Sequence, residues 1–137
     1  MAPSAVGFIG LGQIGSLMAG RLVEHPDGLV VCDLRQEAMA PLVERGATAS
    51  STPADLAAAC GVISVMVLDD AQTRDVVTGP DGILSTAEPG TVIALHSTIH
   101  PDTAVELAAL AAEHDVAVVD APVSGGFMGA AAGTLAT

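Results

Sequence analysis

The chain has 137 residues, half of them hydrophobic, with 16 acidic groups against four arginines, no lysine and a formal net charge of −12. That length suits one domain with a real core, and the charge argues against nucleic acid, which needs Lys and Arg for its phosphates and rings for stacking. The same acidity disfavours an anionic membrane surface, and no apolar run reaches the roughly 18 residues a bilayer span requires.

In chain order, "AVGFIG" (5–10) reads as the first strand, and the residues before it lack the basic region of a secretion signal. Ile14, Leu17, Met18 and Leu22 share one face of a helix that "HPDG" (25–28) ends. "LVVCD" (29–33) is the next strand. Met39, Leu42 and Val43 mark a second helix, with Gly46 placed as its C′ residue. "TPAD" (52–55) puts Pro53 at a first helical position and Asp55 in a first turn, where the helix dipole favours negative charge. "VISVMVL" (62–68) and "TVIAL" (91–95) are strands, with turns at "GPDG" (79–82) and "EPG" (88–90) between them. "HPDT" (100–103) opens a helix continued by Leu107, Leu110 and Ala111, and "VAVVD" (116–120) is the last strand.

These strands are continuously apolar and rich in Val and Ile, as strands buried on both faces are. Strand and helix alternate throughout, which predicts an α/β protein with a doubly wound, mostly parallel sheet in a single domain over 1–137. No internal repeat or flexible linker interrupts it. Cys32 and Cys60 sit within or beside apolar runs, and two isolated cysteines make neither a disulfide framework nor a zinc site. The expectation is a reduced, cytoplasmic protein.

Gly10, Gly12 and Gly15 form G-x-G-x-x-G in the setting that gives this pattern meaning, after a strand and at the start of an amphipathic helix. The pattern predicts a Rossmann-type turn, in which Gly10, Leu11, Gly12, Gln13 and Ile14 cradle a dinucleotide diphosphate on free N–H groups at the helix start. Asp33, 18 residues after Gly15, ends the second strand where a carboxylate accepts hydrogen bonds from the adenosine ribose. Asp33 repels a 2′-phosphate and favours NAD, whereas Arg35 attracts one and leaves NADP open.

"GFIGLGQIGSLMA" (7–19), "STIHPDT" (97–103) and "DAPVSGGFMGAAAGTL" (120–135) resemble the β-hydroxyacid dehydrogenases, typified by 3-hydroxyisobutyrate dehydrogenase and tartronate semialdehyde reductase. The resemblance runs over nearly the whole chain and implies hydride transfer between NAD(P) and a small β-hydroxy acid or semialdehyde, in a protein that is a homodimer at full length. It assigns the substrate carboxylate to Ser124, Gly125 and Gly126. Successive glycine N–H groups beside a hydroxyl do make an anion-binding concavity, although Pro122 and two glycines also suit a plain turn. It puts Thr98 beside the nicotinamide, a position that an ordinary hydroxyl near the Pro101 helix start would also fill. It runs Val67 and Leu68 past the adenosine, where they serve equally as strand core.

The chain departs from that family at Leu68, usually Pro, and at Leu95, where Asp commonly precedes the Ser-Thr pair. His96 and His100 also stand in unusual places. Their i, i+4 spacing lacks a completing Cys or Glu, so no metal is expected. The family's acid–base lysine and its all-helical second domain lie beyond Gly133-Thr134-Leu135. With no lysine here, the expectation is the front half of a two-domain enzyme, inactive alone and ending inside a strand, with Gly133–Thr137 poorly anchored. Two other readings stay open: a stand-alone, non-catalytic dinucleotide-binding module, and a reductase of imines or other carbonyls on the same scaffold.

Overall fold

Each of the five apolar runs becomes a parallel strand in the computed structural model, which describes residues 2–137. The elements are β1 (Ala5–Ile9), α1 (Gln13–Gly20), β2 (Leu29–Cys32), α2 (Gln36–Glu44), β3 (Thr48–Ala49), α3 (Pro53–Ala59), β4 (Cys60–Val65), α4 (Asp70–Thr78), β5 (Val92–Leu95), α5 (Pro101–Ala112), β6 (Ala117–Asp120) and α6 (Gly126–Ala132), with one 3-10 turn at Ile83–Ser85. The sheet order is β3-β2-β1-β4-β5-β6, parallel at every pairing. The chain winds outward from β1 in one direction and from β4 in the other. The crevice for a ligand therefore opens at the carboxyl ends of β1 and β4.

Two apolar layers enclose the sheet. Phe8, Leu11, Val31, Met39 and Leu42 are buried together on the side of α1 and α2. Leu56, Ile63, Val77, Ile93, Leu95 and Leu107 form the larger layer with α3, α4 and α5. Cys32 and Cys60 are free and buried in that larger layer. Burial pushes both thiols up to about 11, with the Asp33 charge a lesser cause at Cys32. They are packing groups, not nucleophiles. Among the described residues no helix is long and apolar enough to cross a membrane.

Helix ends follow local chemistry. Thr52 caps α3 by accepting the Asp55 N–H at 3.0 Å, with Pro53 next to it. Gly46, at φ +115°, ends α2; the Ala47 and Gly46 N–H groups return to the carbonyls of Leu42 and Val43. Five expectations need correction. The first helix stops at Gly20, short of Leu22. The third apolar run leaves the sheet at Val65, so 66–68 is loop. A helix, α4, stands where none was expected, and a two-residue strand, β3, follows α2.

The last correction concerns the end of the chain. Gly126–Ala132 is helix, and beyond it the backbone doubles back in an antiparallel bridge between Ser124 and Ala136, closed by two hydrogen bonds of 2.8 and 3.0 Å. Leu135 packs against Gly125 and Gly129, and the Thr134 N–H bonds the Gly129 carbonyl at 2.9 Å. The segment 133–137 is tied down, not loose.

Candidate functional site

The three motif glycines are glycine for different reasons. Gly10 has φ +96°, and a β-carbon on it would run into the Met66 carbonyl just past β4. Gly15 lies so close to the Gly10 carbonyl that a side chain would force α1 off the turn. Gly12 has an ordinary φ of −70° and no atom within 4 Å of where a β-carbon would stand. The first bond of α1 runs from the Ser16 N–H to the Gly12 carbonyl at 2.9 Å, so the Gln13 and Ile14 N–H groups have no helical acceptor. The open space at Gly12 therefore adjoins unpaired donors at a helix start, and an anionic diphosphate fits there.

Asp33 follows β2 and closes the turn from the side. Its Oδ2 accepts the Leu11 N–H at 2.7 Å, and its Oδ1 accepts the Arg35 N–H at 2.8 Å and the Arg35 Nε–H at 3.3 Å. Arg35 also donates to the Leu11 carbonyl at 3.2 Å. Leu11 is buried and its N–H is engaged by Asp33, whereas Gly12 and Gln13 are exposed and Ile14 is half-buried. Leu34, beside Asp33, is 100% exposed, and Leu68 across the turn is 80% exposed. These two exposed leucines follow β2 and β4, the strands on either side of β1. Sequence reasoning picked out Leu68 and passed over Leu34, whose signal was an apolar residue set between Asp33 and Arg35.

The neighbouring strand ends are stitched together. Ser97, buried after β5, donates its hydroxyl to the Val67 carbonyl at 2.7 Å and accepts the Val67 N–H at 3.0 Å. Thr98 is then exposed. Leu68 uses the N–H that a proline would lack, donating it to Gln72 Oε1 at 2.9 Å. Leu95 is fully buried in the core, which explains an apolar residue there. His100 caps α5, its Nδ1 accepting the Asp102 N–H at 3.2 Å, so the two unusual histidines are separately engaged. Among the described residues no three His, Cys, Asp or Glu side chains gather to hold a metal ion.

Ser124, Gly125 and Gly126 follow β6 on the same edge of the sheet. Gly125 and Gly126 have φ of +126° and +59°, and nothing stands within 4 Å of a β-carbon at Gly126. The first bond of α6, from Gly129 to the Gly125 carbonyl, leaves the Gly126 N–H outside the helical ladder. α6 lies alongside α1, where Arg21 donates to the Ala131 carbonyl at 2.7 Å. The cavity of about 390 Å³ between these helices, lined by Ser16, Arg21, Arg45 and Ala131, sits toward the end of α1, away from the glycine turn.

Comparison with known proteins agrees with this geometry. Residues 5–137 match the family model described as the NAD binding domain of 6-phosphogluconate dehydrogenase. An uncharacterized oxidoreductase of Mycobacterium tuberculosis is 51% identical over 131 residues, 96% of this chain and 44% of that protein. A probable 3-hydroxyisobutyrate dehydrogenase of Dictyostelium discoideum is 42% identical over 95% of this chain and 40% of its own length. The solved structure of a Mycobacterium tuberculosis 3-hydroxyisobutyrate dehydrogenase with L-serine superposes with a TM-score of 0.88 at 32% identity, covering 97% of this chain and 45% of that one. The chain thus spans less than half the length of the curated relatives it matches. With its all-parallel sheet, its glycine turn at the switch point and this match over nearly every residue, the chain belongs to the NAD-binding domain family of 6-phosphogluconate dehydrogenase and the β-hydroxyacid dehydrogenases.

Proposed function

We propose that this chain is the cofactor- and carboxylate-binding half of a dehydrogenase acting on a small β-hydroxy acid or its semialdehyde. The observation that carries the reading is Gly12. Neither backbone strain nor packing requires glycine at that position, and the space left open adjoins the unpaired N–H groups of Gln13 and Ile14. A bound dinucleotide is what would require it.

When bound, the nicotinamide ring supplies a hydride acceptor or donor. The chain's own residues would hold and orient. Asp33 keeps a lone pair on Oδ2 beyond its internal bonds and would accept from the ribose there, favouring NAD over NADP. Leu34 and Leu68 would cover the adenine. Val67 and Thr98, fixed through Ser97, would form the wall along the rest of the cofactor. The Ser124 hydroxyl and the Gly126 N–H would take the substrate carboxylate, with Gly125 turning the backbone toward it. The solved complex of a related 3-hydroxyisobutyrate dehydrogenase with L-serine supports a carboxylate of this size. Oxidising an alcohol also needs an acceptor for its hydroxyl proton, and this chain contains no lysine to take it. The acid–base group, and the homodimer partner that the resemblance implies, would lie outside these residues. The chain by itself binds and does not turn over.

Gly12→Ala tests this. The variant should keep the wild-type circular dichroism and melt within about 3 °C of it, because the site has room and ordinary backbone angles. Its Kd for NADH, from fluorescence titration, should rise at least about tenfold, since the methyl group stands where the diphosphate must approach. Gly10→Ala serves as the contrast and should destabilise the fold itself. Unchanged NADH affinity in Gly12→Ala would sink the reading.

A further inference from the structure

His96 joins three strands at once. It directly follows β5, and its main-chain N–H donates to the Val65 carbonyl of β4 at 2.9 Å. Its Nδ1 lies 2.9 Å from the Ala121 carbonyl oxygen beyond β6, and its Nε2 lies 3.1 Å from Ser64 Oγ on β4. The ring stacks beside Phe8 of β1, with 12° between the planes and 6.4 Å between the centroids. A carbonyl oxygen only accepts, so Nδ1 carries the proton. Nε2 of the neutral ring is then bare and takes the hydrogen of the Ser64 hydroxyl. The two partners together select one tautomer.

Ala121 is where the loop 122–126 departs from the sheet. Pro122 has no N–H, and the next main-chain tie of the loop is the bridge from Ser124 to Ala136. At its root the loop is held by two bonds, the Ala121 N–H to the Leu95 carbonyl at 2.8 Å and the Nδ1–H of His96 to the Ala121 carbonyl. On its other side, His96 continues into Ser97, which clasps Val67 in both directions. We propose that His96 is a positioning residue, whose imidazole fixes where the Ser124-Gly125-Gly126 loop leaves the sheet relative to the glycine turn. Its effect on substrate rests on the reading of that loop as the carboxylate site; the tie itself does not.

The test uses the full-length protein as wild type, His96→Ala and His96→Asn. The Asn amide reaches the place of Nδ1 and has no atom at Nε2, so it restores the Ala121 bond alone. Hydrogen–deuterium exchange by mass spectrometry should show peptides over 121–126 exchanging about tenfold faster in His96→Ala, the size of one lost hydrogen bond, and recovering in His96→Asn. Peptides over 7–15 should match in all three. Nitrogen-15 spectra of the wild type should contain one neutral ring protonated at Nδ1. In turnover assays, His96→Ala should raise KM for the hydroxy acid several-fold, with kcat and the NADH Kd close to wild type.

Unchanged exchange at 121–126, acceleration spread evenly along the chain, or only Nε2-protonated neutral rings would overturn the proposal, as would an unchanged KM in an active enzyme. A wild type that turns over no hydroxy acid would defeat the carboxylate reading instead, and the exchange and tautomer results would still decide the role of His96.

Discussion

Asp33 already accepts three hydrogen bonds from its own chain, and its side chain is only 11% exposed. Such a carboxylate is preorganised, because no side-chain entropy remains to be lost when a ribose hydroxyl arrives. Its charge also occupies Arg35, a cation beside the turn, which lies 3.3 Å from Oδ1. Asp33→Asn keeps an oxygen for the Leu11 N–H but removes the charge and releases Arg35. The expected outcome is an NADH Kd raised about tenfold, in line with losing a hydrogen bond to a charged group, while NADPH binding weakens less or improves. Fluorescence titration with both cofactors measures this. An unchanged ratio of the two affinities would remove Asp33 from ribose recognition.

Between elements, Asp70 does comparable work. It opens α4, yet its Oδ2 accepts the Thr103 hydroxyl at 2.6 Å and the His100 N–H at 3.0 Å, both at the start of α5. Arg74, one turn along α4, donates to Thr103 at 3.1 Å and pairs with Glu106 at 3.0 Å. The Thr103 hydroxyl first, and the His100 N–H second, hold the Asp70 carboxyl below its ordinary range. A lowered folded-state value means the ionised form stabilises the fold. That contribution is complete above the unfolded value near 4 and is lost as pH falls through the lower, folded one. Asp70→Asn should therefore lower the urea midpoint at pH 7, and the gap to wild type should narrow steadily as pH falls below about 4. Urea titrations across that range decide it, and a gap independent of pH would assign the effect to geometry alone.

The same pair of helices explains what the sequence could reveal. α5 was legible because Pro101, Asp102 and an apolar stripe are local signals. α4 was not, since only Thr73 and Val77 on it are buried, and two positions define no stripe. Its remaining signal was the cap, with the Asp69 side chain accepting the Gln72 N–H at 2.9 Å and Gln72 returning to Leu68. The glycine turn and Asp33 were readable because spacing along a strand–turn–helix unit fixes them. Leu34, Arg21 and His96 draw their meaning from exposure or from partners far along the chain, 110 residues away for Arg21 and 25 for His96. No local pattern encodes those pairings. The helix Gly126–Ala132 was not legible, because a glycine-rich apolar run lacks the charged face that usually marks a helix, and the chain's end was expected to lie inside a strand.

At the scale of the whole molecule, the charge itself is testable. All four arginines have partners within the chain: Arg21 with Ala131, Arg35 with Asp33, Arg45 with Gly20 and Arg74 with Glu106. An approaching dinucleotide, itself an anion, therefore meets a chain of net charge −12 whose local attraction at the turn comes from the N–H groups at the start of α1. The two fields differ in range. Repulsion from the 16 carboxylates is spread over the surface, whereas the donors act within hydrogen-bond distance. At about 0.01 M salt the screening length is roughly 30 Å, long enough for the cofactor to feel the entire chain; at about 0.15 M it is roughly 8 Å. Adding salt should remove the distant repulsion and leave the local contact in place. Stopped-flow measurements on the 137-residue chain should accordingly show the association rate for NADH rising several-fold between those concentrations, with the dissociation rate nearly constant. A rate that falls with salt would mean that the positive end of α1, with Arg35 beside it, governs the approach despite the charge of the rest.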